Sequence, residues 1–295
     1  MTAPALPTTP ETLLPIVLQA MSATPETRLR QLMASLTTHL HRFVLENRLT
    51  EDEFEAAVAF LIGIGQATND KKNEVILAAD ILGVSSLVAL LNNPRDAGST
   101  ESYAALLGPF WRARAPACAP GDSIARGGTA GVALEVRGTV YGADGAPLSG
   151  AKVDVWQASP VGLYENQDPT QPDMNLRGLF TADGEGRYFM RSVHPAGYPV
   201  PTDGPCGGLL RAQRRHPYRP AHLHFMVSHP GHRVLITQVF ADDSEQLGSD
   251  PAFGVTAPLV GHFERTQRDG QPLALMTHDF HLSAGEMKFP HPPIP

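Results

Sequence analysis

The chain has 295 residues, with 27 Gly, 27 Pro, two Cys and a net charge of −7. That length suits two domains. A composition 42% hydrophobic and 18% charged excludes a disordered chain, the acidic balance argues against a nucleic-acid surface, and no run of about 18 apolar residues offers a membrane span. Met1–Pro10 lacks the basic and apolar segments of a signal peptide, and Cys118 and Cys206 form neither a CxxC motif nor a framework, so a reduced, cytoplasmic protein is expected.

Glycine and proline are unevenly placed. Residues 26–93 hold no Pro and three Gly, whereas residues 108–295 hold 23 Gly and 21 Pro. Neither residue suits a helix interior, so the first stretch is expected to be helical and the second almost free of helix. Thr9-Pro10-Glu11 and Thr24-Pro25-Glu26 both read as helix starts: a capping hydroxyl, Pro in the first turn, then an acid. After the second, Leu29, Leu32, Met33, Leu36, Leu40, Phe43 and Val44 follow a helical stripe. Thr50-Glu51-Asp52-Glu53 reads as a capping box for the next helix. Asp70 is placed to cap a third long helix carrying Val75, Ile76, Ala79, Leu82, Leu87 and Leu91, stopping near Pro94. These apolar faces suit a helical layer that packs on a second domain and makes a dimer contact.

From about residue 108 the texture is that of strands: 132–141, 151–156, 188–193, 221–228 and 234–240, separated by turns such as Asp144-Gly145, Asp183-Gly184 and Pro230-Gly231. Short strands without intervening helices predict a mostly antiparallel β-sandwich. The expected class is α+β, with a helical domain and linker over 1–105 and a sandwich over 106–295.

The sharpest local feature is Arg219-Pro-Ala-His222-Leu-His224-Phe. Residues two apart on a strand point to one face about 6.6–6.8 Å apart, so His222 and His224 can converge on one metal ion while Leu223 faces the apolar side. By itself HxH is weak, since unrelated folds use it and many such pairs bind nothing. No HExxH or CxxC accompanies it. Tyr164, in a loop after the Trp156 strand, and Tyr198, held between Gly197 and Pro199, are unusually placed. A loop tyrosine is ordinarily a packing ring, but a phenol near pKa 10 ionises at neutral pH beside a strong Lewis acid such as ferric iron.

With these residues in view, the order Tyr164, Tyr198, His222, His224, with Leu107-Gly-Pro-Phe110 at the domain junction, resembles the intradiol ring-cleaving catechol dioxygenases. The resemblance runs from about residue 25 to 285 and includes Asp154-Val-Trp-Gln157, Gly186-Arg-Tyr188 and Pro230-Gly-His-Arg233. Within that family, Leu82-Gly-Val-Ser85, Met174-Asn-Leu-Arg-Gly178 and Tyr198-Pro-Val-Pro-Thr-Asp-Gly-Pro205 look like the hydroxyquinol 1,2-dioxygenase branch. The resemblance implies one Fe(III) per chain, held by Tyr164, Tyr198, His222 and His224. It implies that Tyr198 leaves the metal and accepts one proton of the bound diol, that Arg219 stabilises negative charge on the ring, and that Gln238 orients that arginine or the ligands. It also implies a homodimer through the N-terminal helices, which in this family can hold a lipid in a tunnel at the interface.

The family pocket maps to Leu77, Asp80, Leu106, Leu107, Gly108, Pro109, Phe110, Val200 and Pro201, with Arg219. Leu77 and Asp80 share a helix face, and Asp80 among Ala78, Ala79, Ile81 and Leu82 is suited to accept from the extra hydroxyl of hydroxyquinol. Its bland reading is an acid on a solvated face. Catechol or a substituted catechol is the alternative substrate, and Ala196-Gly197 departs from what that branch often carries. Two other classes compete. Gly138-Thr-Val-Tyr and Gly145-Ala-Pro-Leu-Ser-Gly-Ala-Lys-Val also read like the opening hairpin of a transthyretin-like binding sandwich, and cupins use HxH with a glutamate and a third histidine. His229, His232, His278, His281 and His291 read as surface or hydrogen-bonded residues, and Cys206 as a neighbour of the pocket approach.

Overall fold

In the computed structural model residues 6–93 and 99–294 are described. The chain clusters into two compact units, Met1–Ile62 and Gly63–Pro295. The first contains α1 (Pro10–Met21), α2 (Thr27–Asn47) and most of α3 (Glu51–Ala67), with α1 packed on α2. Thr9 caps α1, its N–H donating to Thr12 Oγ1 at 3.0 Å. At α2 the cap is Glu26 rather than Thr24: the longer carboxylate accepts from the N–H groups of Arg28 and Leu29, which moves the helix start to Thr27. The capping box before α3 forms as expected, with Thr50 N–H donating to Glu53 Oε2 at 2.9 Å and Glu53 N–H to Thr50 Oγ1 at 3.3 Å. The α2 stripe of Leu29, Leu32, Leu36, Leu40 and Phe43 is exposed.

The third long helix is instead two, α4 (Glu74–Ile81) and α5 (Val84–Asn92), bent by 78°. Asp70 does not cap it. Asn69 Oδ1 takes the N–H groups of Lys71 and Lys72 in a turn, and Asn73 caps α4 by accepting from Ile76 N–H at 2.9 Å. Gly83, at φ +72°, makes the break in a left-handed conformation that any side chain would strain. The expected stop near Pro94 lies outside the described residues.

Two five-stranded sheets form the sandwich. One holds β1 (Ala133–Gly142), flanked by antiparallel β4 (Arg187–Val193) and by parallel β11 (Gln271–Thr277) and β12 (Phe280–Leu282), with β10 (Glu264–Arg268) beyond β11. The other has the order β3 (Arg177–Thr181), β2 (Lys152–Trp156), β7 (His222–Ser228), β8 (Leu235–Ala241) and β9 (Val260–Gly261). A short ribbon pairs β5 (Tyr198–Pro199) with β6 (Tyr218–Arg219). The sheets are thus mixed, with β1–β11, β1–β12 and β8–β9 parallel. Leu134, Val136, Val153, Val155, Leu223, Phe225, Val227 and Met190 fill the space between them.

The Gly/Pro-rich part does contain a helix, α6 (Pro205–Ala212). Pro205 sits in its first turn, where no donor is needed. Gly207 has no room for a side chain, since a Cβ there would lie 2.1 Å from Thr202 O. Backbone packing, rather than propensity, explains glycine in this helix.

Candidate metal centre and adjoining cavity

β7 is buried along its whole length, so its two faces meet different neighbours. Odd positions enter the sandwich core; His222 and His224 point the other way. Strand register then builds a row: Arg177 pairs with Trp156, Trp156 with His224, and His224 with Gln238, across β3, β2, β7 and β8. Trp156 stacks on His224 with centroids 4.8 Å apart and planes at 10°. Gly108, at φ +76°, lets the backbone approach this ring; a Cβ there would lie 3.1 Å from His224 Cε1.

Over this face a loop and the β5–β6 ribbon deliver phenols. Tyr164 and Tyr198 meet edge to face, with hydroxyl oxygens 3.3 Å apart, and Phe110 stacks on Tyr164 at 4.6 Å. Tyr198 is held by β5–β6 pairing directly opposite Arg219. The two imidazole Nε2 atoms stand 3.1 Å apart. All four side chains are at most 3% exposed. Burial drives both phenols above their ordinary range and both imidazoles below theirs, His222 to about 3, with the Arg219 charge adding to the imidazole shifts.

Hydrogen-bond accounting identifies what these groups suit. His222 Nδ1 lies 2.7 Å from Pro220 O, a carbonyl that only accepts, so Nδ1 carries the proton and Nε2 presents a lone pair. Arg219 Nη1 is 3.3 Å from that nitrogen. His224 Nδ1 has no hydrogen-bond partner among the described residues. Two neutral imidazoles and two phenols, all dry and with their donor atoms close, are short of protons to satisfy one another. A cation preferring nitrogen and ionised oxygen donors fits this set. Among the described residues no group of three or more His, Cys, Asp and Glu gathers to hold a metal; half of this cluster is tyrosine.

Arg219 is clamped through Nε and Nη2. Nε and Nη2 donate to Asp250 Oδ1 and Oδ2, each at 3.0 Å, and Nη2 also donates to Gln238 Oε1 at 2.9 Å. Gln238 Nε2 donates to Leu106 O at 2.7 Å, which ties the arginine to the 105–110 segment. Asp250 additionally accepts from the N–H groups of Ala252 and Gly254. The paired Arg219 charge holds its carboxyl below the usual range despite burial.

Beside this segment lies a cavity of about 520 Å³, lined by Asp80, Leu106, Leu107, Gly108 and otherwise mainly by apolar residues of α4, α5 and β8. Burial pushes the Asp80 carboxyl up to about 6, against a hydrogen bond from Ser85 and the more distant Arg219 charge. Of the expected pocket residues, Leu77 is buried on α4, Val200 is buried after β5, and Pro201 is half-buried. None of these three, nor Pro109, Phe110 or Arg219, lines that cavity. Cys206 does not line it either; its N–H donates to Glu74 Oε1 at 3.0 Å.

Asp250, Arg177 and Glu165 have no separate signal in sequence reading. Asp250 stands 31 residues from Arg219 in an irregular loop, and only folding joins them. Trp156 and Asp154 were visible only inside the Asp154–Gln157 motif; Trp111 Nε1 donates to Asp154 at 3.2 Å.

The family model described as "Dioxygenase" matches residues 106–284, and "Catechol dioxygenase N terminus" matches 26–100. The chain is 44% identical to a hydroxyquinol 1,2-dioxygenase of Rhizobium sp. over 85% of this chain and 84% of that one. It is 39% identical to a catechol 1,2-dioxygenase of Candida albicans, over 85% and 83%. The solved hydroxyquinol 1,2-dioxygenase of Pseudomonas putida is 37% identical and superposes with a TM-score of 0.85, covering 94% of this chain and 99% of that one. A transthyretin-like binding sandwich or a cupin accounts for neither the paired models nor these relatives. The chain belongs to the intradiol ring-cleaving dioxygenases, an enzyme family that uses non-haem iron and acts on aromatic diols with O2.

Proposed function

We propose that the enzyme opens hydroxyquinol (1,2,4-trihydroxybenzene) between adjacent hydroxylated carbons, giving 3-hydroxy-cis,cis-muconate and its tautomer maleylacetate. The observation that carries the reading is the buried cluster of Tyr164, Tyr198, His222 and His224. These four residues would hold one Fe(III) per chain. When bound, that ion supplies the Lewis acidity that ionises phenols and draws electron density from a chelated diol.

The chain's own residues do the rest. His222 is fixed in the Nδ1–H tautomer by Pro220 O, so its Nε2 lone pair is permanently available. Tyr198 is the proton acceptor for one hydroxyl of the arriving diol: its oxygen sits beside that of Tyr164, and burial makes its phenol hold a proton strongly. Arg219, clamped by Asp250 and Gln238, keeps a fixed positive charge beside His222 and the Tyr198 strand, where it stabilises negative charge on the substrate ring without reorganising. Gln238 and Asp250 act through Arg219.

Asp80 is the selecting group. It is a buried acceptor in a mainly apolar cavity that Leu106, Leu107 and Gly108 also line, and it would bond the third hydroxyl; Leu77, Pro109, Phe110, Val200 and Pro201 would act from outside that lining. Without that hydroxyl the buried acid keeps only its hydrogen bond from Ser85, which disfavours catechol. Oxygen uptake on hydroxyquinol, catechol, 4-chlorocatechol and protocatechuate tests the assignment; a higher kcat/KM for catechol than for hydroxyquinol overturns it. The iron-loaded protein should be wine-red from tyrosinate-to-iron charge transfer, and a colourless protein, inactive after iron loading, refutes the ligand set.

The reading extends to assembly. Residues 1–105 would form a helical domain and 106–295 the catalytic one, in a cytoplasmic enzyme. The exposed stripe of α2 suits a homodimer contact. Light scattering checks the mass, and organic extraction checks for a lipid at that contact.

A further inference from the structure

Arg177 opens β3 and is 1% exposed. Its guanidinium carbon lies 5.7 Å from the centroid of the Tyr164 ring, over its face. Its Nε donates to Glu165 Oε1 at 2.7 Å, and the same oxygen accepts from Arg112 Nη1 at 2.8 Å. One carboxylate therefore serves two guanidinium groups. Of the other acids nearby, Asp173 is largely exposed and pairs with Arg112, and buried Asp154 acts on Arg177 through its charge while Trp111 donates to it.

The contrast with Arg219 makes this telling. Arg219 has its Nε and Nη2 donors matched by Asp250 and Gln238. Arg177 does not: Nη1 and Nη2 are buried and have no hydrogen-bond partner among the described residues. A dry guanidinium with two idle NH2 groups is costly beside a neutral phenol. It becomes favourable beside an anion, because the face of an ionised ring attracts a cation far more strongly than that of a neutral one. The placement is built in by register, since Arg177 stands opposite Trp156, which stands opposite His224.

We propose that Arg177, locked by Glu165, is a positioning residue for Tyr164 that orients its ring and stabilises the negative charge it carries as a tyrosinate. The assignment rests on Tyr164 being an iron ligand. It gives the two arginines different roles, with Arg219 serving the substrate side of the site and Arg177 the ligand that stays bound.

The test is the visible spectrum of the iron-loaded protein, read with iron content and thermal unfolding. Removing a cation beside the ring raises the energy of the phenolate electrons that iron accepts. Arg177→Met should therefore move the charge-transfer band to longer wavelength and weaken iron binding about 10- to 100-fold. Arg177→Lys keeps the charge and should leave the band near its wild-type position. Glu165→Gln removes the neutralising charge and should move the band the opposite way, to shorter wavelength. Resonance Raman should show one of the two tyrosinate signatures moving. If Arg177→Met does not fold, the opposite shift in Glu165→Gln supports the assignment and an unmoved band there overturns it. A folded, iron-loaded Arg177→Met with the wild-type band overturns it directly. A colourless iron-treated wild type overturns the ligand reading and this inference with it, whereas a coloured wild type with unmoved variants overturns the Arg177 role alone.

Discussion

The two faces of β7 are equally dry and chemically opposite. Leu223, Phe225 and Val227 show no exposed surface, while His222 and His224 show 2% and 1%. On the odd face each side chain meets others like it, and Phe225 lies 5.1 Å from the ring of Phe280 across the sandwich. Burial there stabilises by about 1.5–3 kcal/mol per large side chain. On the even face the same burial strips water from imidazoles, phenols and a guanidinium, which costs stability unless each finds a partner. Identical exclusion of water thus produces a core on one side and reactive, pKa-shifted groups on the other. The two faces share a backbone, yet their chemistry is separate, so they should fail separately.

The largest effect should follow from cutting the even face. His224→Ala removes one proposed ligand and the stacking partner of Trp156. Since losing a residue that merely supports a ligand costs about 10- to 100-fold in metal affinity, loss of the ligand should exceed that and abolish oxygen uptake. Metal analysis checks it; an iron-replete, active His224→Ala would break the contrast. On the odd face, Phe225→Ala should destabilise by about 3–5 kcal/mol through cavity formation, measured by denaturant unfolding. The surviving folded fraction should still bind one iron per chain. Loss of iron at full stability would show that the faces are not independent.

How much of this was legible follows from what each feature depends on. The alternation in His222–Ser228 is local, so strand, core face and paired imidazoles could all be read from seven residues. The capping box at Thr50–Glu53 was legible for the same reason. The cap at Asn73 and the bend at Gly83 were not, because Asp70 offers an equally good local signal and only the Asn69 turn decides between them. The tyrosines became meaningful through family resemblance, since nothing in the spacing from Tyr164 to His222 implies a common centre. Asp250 escaped entirely, and Arg177 stood inside the Met174–Gly178 motif with no role attached to it. Their roles arise from partners 31 and 13 residues away, Arg219 and Tyr164, supplied by a loop and by register across three strands.

Asp80 sharpens the comparison, being a buried acid in apolar surroundings with only weak compensation. Its carboxyl titrates near 6 against an ordinary 3.8. The folded state therefore binds the proton more tightly than the unfolded state, and stability present below about pH 4 is lost as pH rises through 6. At 1.36 kcal/mol per pH unit the loss is at most about 3 kcal/mol. Asp80→Asn should remove that loss, so that variant and wild type differ more at pH 8 than at pH 4. It should also lower the hydroxyquinol-to-catechol ratio of kcat/KM about tenfold or more. A pH-independent stability difference, or equal losses on both substrates, would remove Asp80 from its selecting role.

The smallest expected effect comes from the covering segment, where the even face meets backbone instead of side chains. Gly108→Ala demands a left-handed residue and sets a Cβ 3.1 Å from His224 Cε1. The conformational term alone costs about 1–2 kcal/mol. The contact must then be relieved by moving either the 105–110 segment or the imidazole. These routes differ in signature. Movement of the segment would disturb the Gln238–Leu106 bond at 2.7 Å and, through Gln238, the Arg219 clamp, raising KM with iron retained. Movement of His224 would loosen its stack on Trp156 and shift the charge-transfer band instead. Because Trp156 holds that ring nearly parallel and buried, the KM route is expected, and a shifted band at unchanged KM would count against it.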